Sequence, residues 1–304
     1  MLADGADWQG PVVRLRSLLF VPGDRPERME KARAVGADAL ILDLEDSVAA
    51  PKKAAARKLV AEFLARTEGT LVRFVRINSL ATAWAQADLE AVIEAKPDGL
   101  VLPKCEGPDS VRDLDTQLVK LGDRFPLVLP IATETPGAVF RLGEYAEVSE
   151  RLAGLTWGAE DLSAAVGAEC AREPDGSFTD PYKLTRTLTL FGAAAADVAP
   201  IETVFPAFED LTGLDTYARR SQRDGFTGMM AIHPAQVSII NAAFTPSAEA
   251  VSRARAVVAL FDANPGAGVL SLDGKMLDAP HLRQAQRLLR LAGEAISNAL
   301  PDKG

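Results

Sequence analysis

The stretch Leu127-Val-Leu-Pro-Ile-Ala-Thr-Glu134-Thr-Pro-Gly137 runs from an apolar segment directly into a carboxylate. A short apolar run bounded by turn residues predicts a buried strand, and Glu134 stands where that strand should emerge into a loop. The run that begins at Gly154 is followed in the same way by Trp157-Gly-Ala-Glu-Asp161. Polar residues at the ends of successive buried strands are typical of a parallel α/β sheet.

Apolar runs of this kind occur eight times along the chain, beginning near Ser17, Ala39, Leu71, Gly99, Leu127, Gly154, Ile201 and Thr227. Their starts lie about 30 residues apart, which is the rhythm of a (β/α)₈ barrel of ~250 residues. Helix-like stretches separate them, many with Pro at the first helical position, including Pro26 to Val35, Pro51 to Arg66, Trp84 to Glu94 and Tyr182 to Ala196. The fold prediction is therefore α/β, a (β/α)₈ TIM barrel. A doubly wound open sheet is the alternative, but no Gly-rich phosphate loop follows the first run.

We predict three regions: a flexible N-terminus at residues 1–14, the barrel at 15–247 and a C-terminal helical and extended appendage at 248–304. The appendage should hold an amphipathic helix from Ser247 to about Asp262 and a last helix from Pro280 to about Asn298. Within the barrel, the segment Arg172 to Asp180 is rich in Gly, Pro and Asp, so we expect a surface loop that could cover the site.

The composition indicates a globular protein of the cytoplasm. A formal net charge of −9 argues against binding to nucleic acid or to an anionic membrane, since both would be repelled. No apolar run has the length of a membrane span, and Met1 to Arg14 lacks the apolar core of a signal peptide. Cys105 and Cys170 are far apart in sequence, so we expect two reduced thiols without a function.

Polar side chains stand at the carboxyl ends of most predicted strands and should meet at one rim of the barrel. They are Asp43, Glu45, Asp46, Arg76, Asn78, Lys104, Glu134, Glu160, Asp161 and His233. Mg²⁺ usually takes one or two protein carboxylates together with water and substrate oxygens, and Glu134 and Asp161 are the pair we assign to it. A guanidinium such as Arg76 can bind a carboxylate or an enolate through a two-pronged hydrogen bond.

Six motifs, in order, carry a specific resemblance: Ser17-Leu-Leu-Phe-Val-Pro-Gly-Asp-Arg-Pro-Glu-Arg-Met29, Leu42-Asp-Leu-Glu-Asp-Ser-Val48, Val75-Arg-Ile-Asn78, Glu134-Thr-Pro-Gly137, Gly158-Ala-Glu-Asp-Leu162 and Ala231-Ile-His-Pro234. From about Arg16 to Leu289 the chain resembles the citrate lyase β-subunit-like family, within the HpcH/HpaI aldolase/citrate lyase superfamily. The resemblance implies a Mg²⁺-dependent carbon–carbon lyase. Its substrates would be 3-hydroxyacyl-CoA thioesters such as malyl-CoA, β-methylmalyl-CoA or citramalyl-CoA. Its products would be acetyl-CoA or propionyl-CoA and an α-keto acid.

The resemblance also implies residue roles. Glu134 and Asp161 would ligate Mg²⁺, Arg76 would bind the reacting oxygens and stabilise a thioester enolate, and Glu45 and Asp46 would support the waters of the metal. Less specific contacts with substrate or CoA are expected from Arg25, Lys104, Pro136, Gly158, Ala159, Glu160 and His233.

The tail sequence Lys275-Met-Leu-Asp-Ala-Pro280 resembles the C-terminal motif of CoA-thioester lyases in this family. There the residue matching Asp278 lies over the barrel mouth of a neighbouring subunit and protonates the acetyl-CoA enolate. The resemblance therefore implies a shared site and a homo-oligomer, a homotrimer or a hexamer.

Several residues also have structural interpretations. His233 could be a catalytic base or part of a turn, Lys104 could be a Schiff-base nucleophile, and Arg25 could bind CoA phosphates or only solvent. Glu45 and Asp46 could satisfy backbone donors at a helix start, and Asp278 could cap the last helix.

Three other functions stay open at the level of the sequence. The first is the β subunit of a citrate lyase complex that acts on an acyl-carrier protein. The second is a metal-dependent aldolase for free hydroxy-keto acids, although its relatives use a His near the second strand, where this chain has Asp43-Leu-Glu45. The third is a catalytically silent barrel that binds CoA.

Overall fold

The computed structural model describes residues 14–67, 69–122 and 126–294. The predicted flexible N-terminus, apart from Arg14, and the far end of the predicted last helix lie outside the described residues. Two compact units divide the chain, one ending at Asn241 and the other beginning at Ala242. The predicted boundary at residue 247 falls between the ninth and tenth helices.

Eight parallel strands form the sheet of the first unit: β1 (Ser17–Pro22), β2 (Ala39–Asp43), β3 (Val72–Arg76), β4 (Gly99–Leu102), β5 (Leu127–Pro130), β6 (Gly154–Leu155), β7 (Ala199–Glu202) and β8 (Gly228–Ala231). Their order is β5-β4-β3-β2-β1-β8-β7-β6. Parallel bridges from Val128 to Leu152 and from Ile131 to Thr156 join the two outermost strands. This closure confirms the predicted (β/α)₈ barrel and excludes the open doubly wound sheet.

The strands are almost continuous apolar runs because both of their faces are covered. All five residues of β2 are buried, as expected for a parallel sheet with side chains inside the barrel and helices outside. The barrel interior is filled by a cluster that includes Leu18, Ile41, Phe74, Val101, Leu129 and Met230. Strand β6 has only two residues, and a side chain on Gly154 would lie 2.4 Å from the carbonyl oxygen of Ala199, so glycine is needed where β6 meets β7.

The helices of the first unit surround the barrel, and the last of them continues two residues into the second unit. They are α1 (Pro26–Ala32), α2 (Lys53–Arg66), α3 (Ala85–Glu94), α4 (Pro108–Lys120), α5 (Pro136–Val139), α6 (Ala159–Val166), α7 (Asp180–Ala195), α8 (Leu211–Asp224) and α9 (Pro234–Ala243). Single turns of 3₁₀ helix occur at Ala50–Lys52 and Leu142–Glu144. The predicted helices are present, with ends that differ by up to three residues. None of the described helices is long and apolar enough to cross a membrane.

The second unit contains α10 (Ala248–Asp262), a hairpin of β9 (Val269–Leu272) and β10 (Lys275–Asp278), and α11 (Ala279–Leu291). The hairpin turn is Asp273-Gly274, both with positive φ, which is the backbone that a two-residue Asp-Gly turn requires. A small core includes Val257, Phe261, Leu277, Leu282 and Leu289. The predicted last helix ends earlier than expected, at Leu291, and Gly293 adopts a left-handed φ of 80°; the part of the prediction from residue 295 to Asn298 lies outside the described residues.

Cys105 is buried and Cys170 is exposed, and both are free thiols, as expected from the sequence. Cys105 Sγ lies 3.2 Å from the hydroxyl oxygen of Tyr145.

A fully buried carboxylate, Glu202, ends strand β7 and connects four neighbours. Its two oxygens accept hydrogen bonds from Trp157 Nε1 at 2.6 Å, Arg186 Nε at 2.6 Å and Ser221 Oγ at 2.9 Å, and from the backbone N–H of Thr203 at 2.9 Å. Each of these donors is therefore matched, and the network fixes Trp157 immediately before Gly158 and helix α6.

Replacement of Glu202 by Ala is expected to lower the free energy of unfolding by about 3–5 kcal/mol, since it leaves the Trp157 donor unmatched and the Arg186 charge with Asp224 alone. Urea unfolding followed by circular dichroism measures the change. The exposed carboxylate of Glu209, in the following loop, provides the control, because its replacement by Ala should change stability by less than about 0.5 kcal/mol. Equal effects of the two substitutions would contradict a structural role for the Glu202 network.

Candidate active site

Asp43 and Arg76 form the floor of the candidate site, because they are paired residues at the carboxyl ends of β2 and β3. Arg76 donates from Nε to Asp43 Oδ1 at 2.7 Å and from Nη2 to Oδ2 at 2.6 Å. Burial alone would raise the pKa of Asp43, but the two hydrogen bonds and the charge of Arg76 outweigh it and lower that pKa. Arg76 also lies over the ring of Phe20, 4.8 Å from its centroid. The guanidinium is thus held in one orientation at the barrel mouth.

Glu45 connects this floor to Lys104. Its Oε2 lies 3.2 Å from Arg76 Nη1, and its Oε1 accepts a hydrogen bond of 2.8 Å from Lys104 Nζ. Burial raises the pKa of Glu45, and the charges of Arg76 and Lys104 only partly oppose that effect. The 3.2 Å contact lacks hydrogen-bond geometry, so Glu45 Oε2 remains a buried acceptor without a donor.

Glu134 is almost fully buried above this group, 4% exposed, and accepts a hydrogen bond from the backbone N–H of Lys104. Lys104 has a left-handed φ of 49°, and this backbone turn directs its N–H to that carboxylate. Burial, together with the nearby carboxylates of Asp161 and Glu45, raises the pKa of Glu134 to about 8. A buried carboxylate beside two others is a position where a cation would be stabilised strongly.

Asp161 belongs to the first turn of α6 and is about one-third exposed, with a side-chain accessibility of 38%. Lys104 Nζ lies 3.8 Å from Asp161 Oδ1 and 3.8 Å from Asp46 Oδ1, so one ammonium group bridges three carboxylates, counting Glu45. Gly158 precedes the helix, and a side chain there would approach Glu134 Cγ to 3.2 Å. The glycine lets the start of α6 approach Glu134 closely.

The donor set fits a hard divalent cation. Carboxylate oxygens are the ligands that such ions prefer, and Mg²⁺ needs only one or two of them from the protein. The raised pKa of Glu134 and the unmatched Glu45 Oε2 are both features that a cation would satisfy. Among the described residues, no three His, Cys, Asp or Glu side chains converge to enclose a metal alone. A bound cation would therefore keep positions open for water or substrate.

Lys104 is not suited to be a Schiff-base nucleophile. Burial favours the neutral amine, but the hydrogen bond to Glu45 and the charges of Asp46 and Asp161 outweigh it and raise the pKa of Lys104. The side chain is therefore a protonated cation that neutralises the carboxylates of the rim.

The remaining predicted contact residues lie at loops and helix starts of the same unit. Arg25 precedes α1, is about half exposed and pairs with Asp24 at 3.4 Å. Pro136 begins α5, while Ala159 and Glu160 begin α6. Ala159 is buried and Glu160 is exposed, so only the latter offers its side chain to a ligand.

His233 follows β8, and its described contacts are those of a turn. Its Nδ1 accepts a hydrogen bond from the Ala235 N–H at 3.2 Å, and its ring stacks on Phe208 with a centroid distance of 5.2 Å. Gln236 Oε1 accepts from the His233 N–H at 3.2 Å. These contacts favour the structural interpretation of His233 over a catalytic base.

A cavity of about 960 Å³ lies beside α6, between the loop after that helix and the loop after β7. Its lining includes Glu160, Arg172, Phe205, Tyr217 and Arg220. The loop predicted to cover the site folds back on itself through an antiparallel bridge from Arg172 to Phe178 and forms one wall of this cavity.

Asp278 lies in the second unit, where it ends β10 and begins α11. Its side chain accepts a hydrogen bond from the His281 N–H and caps the helix, so the structural interpretation of this residue is present in the molecule. The cap leaves its side chain about one-third exposed.

Two contributions to the site were not assigned from the sequence. Asp43 was recognised as one of three carboxylates, but its pairing with Arg76 depends on the register of β2 and β3. Lys104 was expected to touch substrate, and the structure adds that its ammonium group bridges Glu45, Asp46 and Asp161. The signal for both was present, since each follows directly from an apolar run.

The chain is similar over most of its length to known proteins. Residues 16–234 match the family model described as HpcH/HpaI aldolase/citrate lyase. The chain is 35% identical over 285 residues to a (3S)-malyl-CoA thioesterase of Cereibacter sphaeroides, covering 93% of this chain and 95% of that protein. It is 32% identical over 297 residues to a mitochondrial citramalyl-CoA lyase of Rattus norvegicus, covering 91% of this chain and 86% of that protein.

A solved structure is similar to this chain in both fold and sequence. The CitE protein of Mycobacterium tuberculosis, in complex with magnesium, acetoacetate and coenzyme A, superposes with a TM-score of 0.74. It is 34% identical, and the match covers 91% of this chain and 98% of that one.

Proposed function

The chain belongs to the HpcH/HpaI aldolase/citrate lyase family, and we propose that it is a Mg²⁺-dependent lyase of short 3-hydroxyacyl-CoA thioesters. Malyl-CoA, β-methylmalyl-CoA and citramalyl-CoA are the substrates of choice. Cleavage yields an α-keto acid together with acetyl-CoA or propionyl-CoA.

The observation that carries the proposal is the group of charges at the barrel mouth. Glu134 and Asp161 supply carboxylates to a cation. The positive charges of Arg76 and Lys104 lie within a few ångströms of carboxylates of the same rim. An α-keto acid brings two adjacent oxygens and a negative charge, which such a cation and a fixed guanidinium can both bind. Magnesium is present in the structure of the CitE relative, which supports this choice of metal.

Each side chain has a role in carbon–carbon cleavage. Glu134 and Asp161 would hold Mg²⁺, which supplies Lewis-acid stabilisation of the oxygens on the keto-acid side. Arg76 donates hydrogen bonds to the thioester enolate as its charge develops, and its orientation is already fixed by Asp43. Glu45 and Asp46 hold the waters around the cation, and Lys104 prevents mutual repulsion of the carboxylates.

Asp278 completes the reaction by protonating the enolate carbon. In the proposed assembly this residue comes from the second unit of a neighbouring copy, so the protein works as a homo-oligomer, a trimer or a hexamer. The support for this role is the tail motif Lys275 to Pro280, with Asp278 partly exposed at the start of α11.

Thioester hydrolysis is the second candidate function, because the relative from Cereibacter sphaeroides is named a (3S)-malyl-CoA thioesterase. Hydrolysis would release malate and free CoA without breaking a carbon–carbon bond. Action on an acyl-carrier protein, as in a citrate lyase complex, is a third candidate that the same assay separates.

The test is a cleavage assay on the three CoA thioesters in the presence of Mg²⁺ or of EDTA, with separate measurement of α-keto acid, acetyl-CoA and free thiol. We expect keto acid and acyl-CoA in equal amounts, loss of both in EDTA, and a loss of about 10²–10⁴-fold in the Asp278→Ala variant. Free thiol and hydroxy acid without keto acid would instead indicate the thioesterase. No product from any CoA substrate would contradict the proposal and favour a carrier-protein substrate or a silent barrel.

A further inference from the structure

The side chain of His281 lies against the carboxylate of Asp278. His281 Nδ1 is 2.5 Å from Asp278 Oδ1, and His281 occupies the third position of α11, where its backbone N–H also donates to that oxygen at 3.4 Å. An approach of 2.5 Å between two atoms with lone pairs requires a proton between them. The backbone N–H of Asp278 also points to Nδ1, at 3.3 Å. The two side chains form a hydrogen-bonded pair, and since a carboxyl group is a stronger acid than an imidazolium, we place the shared proton on Nδ1.

This pair can supply the proton that the proposed cleavage requires at the enolate carbon. The hydrogen bond from His281, against a small opposing effect of burial, lowers the pKa of Asp278, so that at neutral pH the carboxyl group is ionised and has no proton of its own. Cleavage nevertheless needs a proton at the enolate carbon. His281 holds one at 2.5 Å, and its ring is about half exposed, with 45% side-chain accessibility, so water can replace the proton after it is used.

In the described part of the second unit, no other titratable side chain forms an ion pair with Asp278 or His281. Strand β9 carries no titratable side chain, and those of the other elements in this unit are Lys275 on β10, Arg283, Arg287 and Arg290 on α11, Glu249, Arg253, Arg255 and Asp262 on α10, and Asp273 in the hairpin turn. Among the described residues, none of these forms an ion pair with Asp278 or His281, and Arg255 is engaged by Glu294 at 2.6 Å.

We propose that His281 is the positioning residue of Asp278 and the store of the proton that Asp278 delivers. The inference rests on the proposed lyase function. It adds that an imidazole, and not the carboxyl group alone, sets the pH at which the reaction runs in each direction.

The step balances as follows. After carbon–carbon cleavage, the electron pair lies on the thioester enolate, the carboxylate of Asp278 is ionised and His281 is an imidazolium. The proton moves from Nδ1 to the carboxylate and from there to the enolate carbon, so that an N–H bond breaks and a C–H bond forms. The pair is left as neutral imidazole and carboxylate. The hydroxyl group of the substrate gives its proton to solvent when the carbon–carbon bond breaks, and solvent returns one proton to the ring, so the number of protons is unchanged over the cycle. Condensation runs the same transfers backwards.

The sign of the pH dependence follows from this balance. Cleavage needs the protonated pair, so kcat for cleavage should fall as pH rises through the range of about 5–8 in which imidazoles titrate. Abstraction of a methyl proton from acetyl-CoA needs the deprotonated pair, so deuterium exchange into acetyl-CoA should rise over the same range.

The decisive variant is His281→Gln, because glutamine at the third helical position preserves a capping box while removing the imidazole. We expect an unchanged melting temperature, cleavage at pH 6 lowered by about tenfold or more, and loss of the inflection from both pH profiles. An unchanged pH profile in His281→Gln would overturn the proposal and leave His281 as a helix cap only.

A second measurement does not depend on turnover. The chain has only two histidines, so the ring signals of His281 can be assigned by comparing nuclear magnetic resonance spectra of the wild type and His281→Gln. Asp278→Asn replaces the charged acceptor of His281 Nδ1 with a neutral one, so the Nδ1 nitrogen resonance of His281 should move, and an unmoved resonance would overturn the pairing. If the resonance moves while no thioester is cleaved, the proposed function fails and the pair stands. If thioesters are cleaved while the resonance is unmoved, only the pair fails.

Discussion

Replacement of Glu134 by Gln is expected to lower kcat for thioester cleavage by about 10³-fold or more and to abolish tight Mg²⁺ binding. A bound metal supplies several kcal/mol of charge stabilisation in the transition state, and each ~1.4 kcal/mol is a factor of ten in rate. The introduced amide would keep the size of the side chain and an oxygen for the Lys104 N–H, while removing the negative charge from a site with 4% exposure. Isothermal titration with MgCl₂ and the cleavage assay measure the two effects separately.

The control for this substitution is Glu94→Gln. Glu94 is the exposed last residue of α3, and its replacement removes the same charge from the protein without touching the rim. It should leave both Mg²⁺ binding and kcat unchanged. Retention of Mg²⁺ binding by Glu134→Gln would show that the cation lies elsewhere, and the assignment of Glu134 and Asp161 would then be wrong.

The fold could be predicted from the sequence because the determining pattern is repeated. Eight apolar runs, each followed by turn residues and a helix start, leave few topologies other than a barrel, and the structure has all eight strands. The ends of strand β6 were the hardest to predict. Only Gly154 and Leu155 pair regularly, and the rest of the apolar run belongs to the loop before α6. Its position depends on close backbone contact with β7, which no periodicity reveals.

The sequence predicted that charged residues at the strand ends would meet at one rim, but not which of them would contact one another. Because strands and helices alternate along the chain, the carboxyl ends of the strands meet at one rim, and that rim carries Glu45, Arg76, Glu134 and Asp161. The pairing of these charged side chains depends on strand register and on local backbone conformation. An example is the left-handed φ of Lys104, which directs its N–H to Glu134. The pairing of His281 with Asp278 depends on the exact start of α11, and helix ends are the part of a structure that sequence patterns define least well.

Arg76→Lys is expected to lower kcat by about 10²–10³-fold with a smaller change in KM, the loss typical of one missing donor to a developing oxyanion. Lysine keeps the positive charge near Asp43 but loses the planar fork that gives hydrogen bonds of 2.7 and 2.6 Å. With the fork gone, neither the Asp43 carboxylate nor an enolate oxygen has a donor in a fixed direction. Steady-state kinetics on the substrate identified above, at saturating Mg²⁺, measures the effect.

A matched substitution on the same strand separates catalysis from stability. Arg73 lies three residues earlier on β3 and forms a fork with Asp98, through Nε at 2.9 Å and Nη2 at 3.3 Å. Its Nη1 also donates to the backbone carbonyls of Leu64 and Thr67. Arg73→Lys should therefore destabilise the barrel at least as much as Arg76→Lys, by roughly 1–3 kcal/mol, while leaving kcat within about twofold of the wild type. If both variants lose activity in proportion to their loss of stability, Arg76 acts only through the folding of β3. If only Arg76→Lys loses activity, its guanidinium acts on the reacting oxygens, because Arg73→Lys breaks at least as many hydrogen bonds on the same strand.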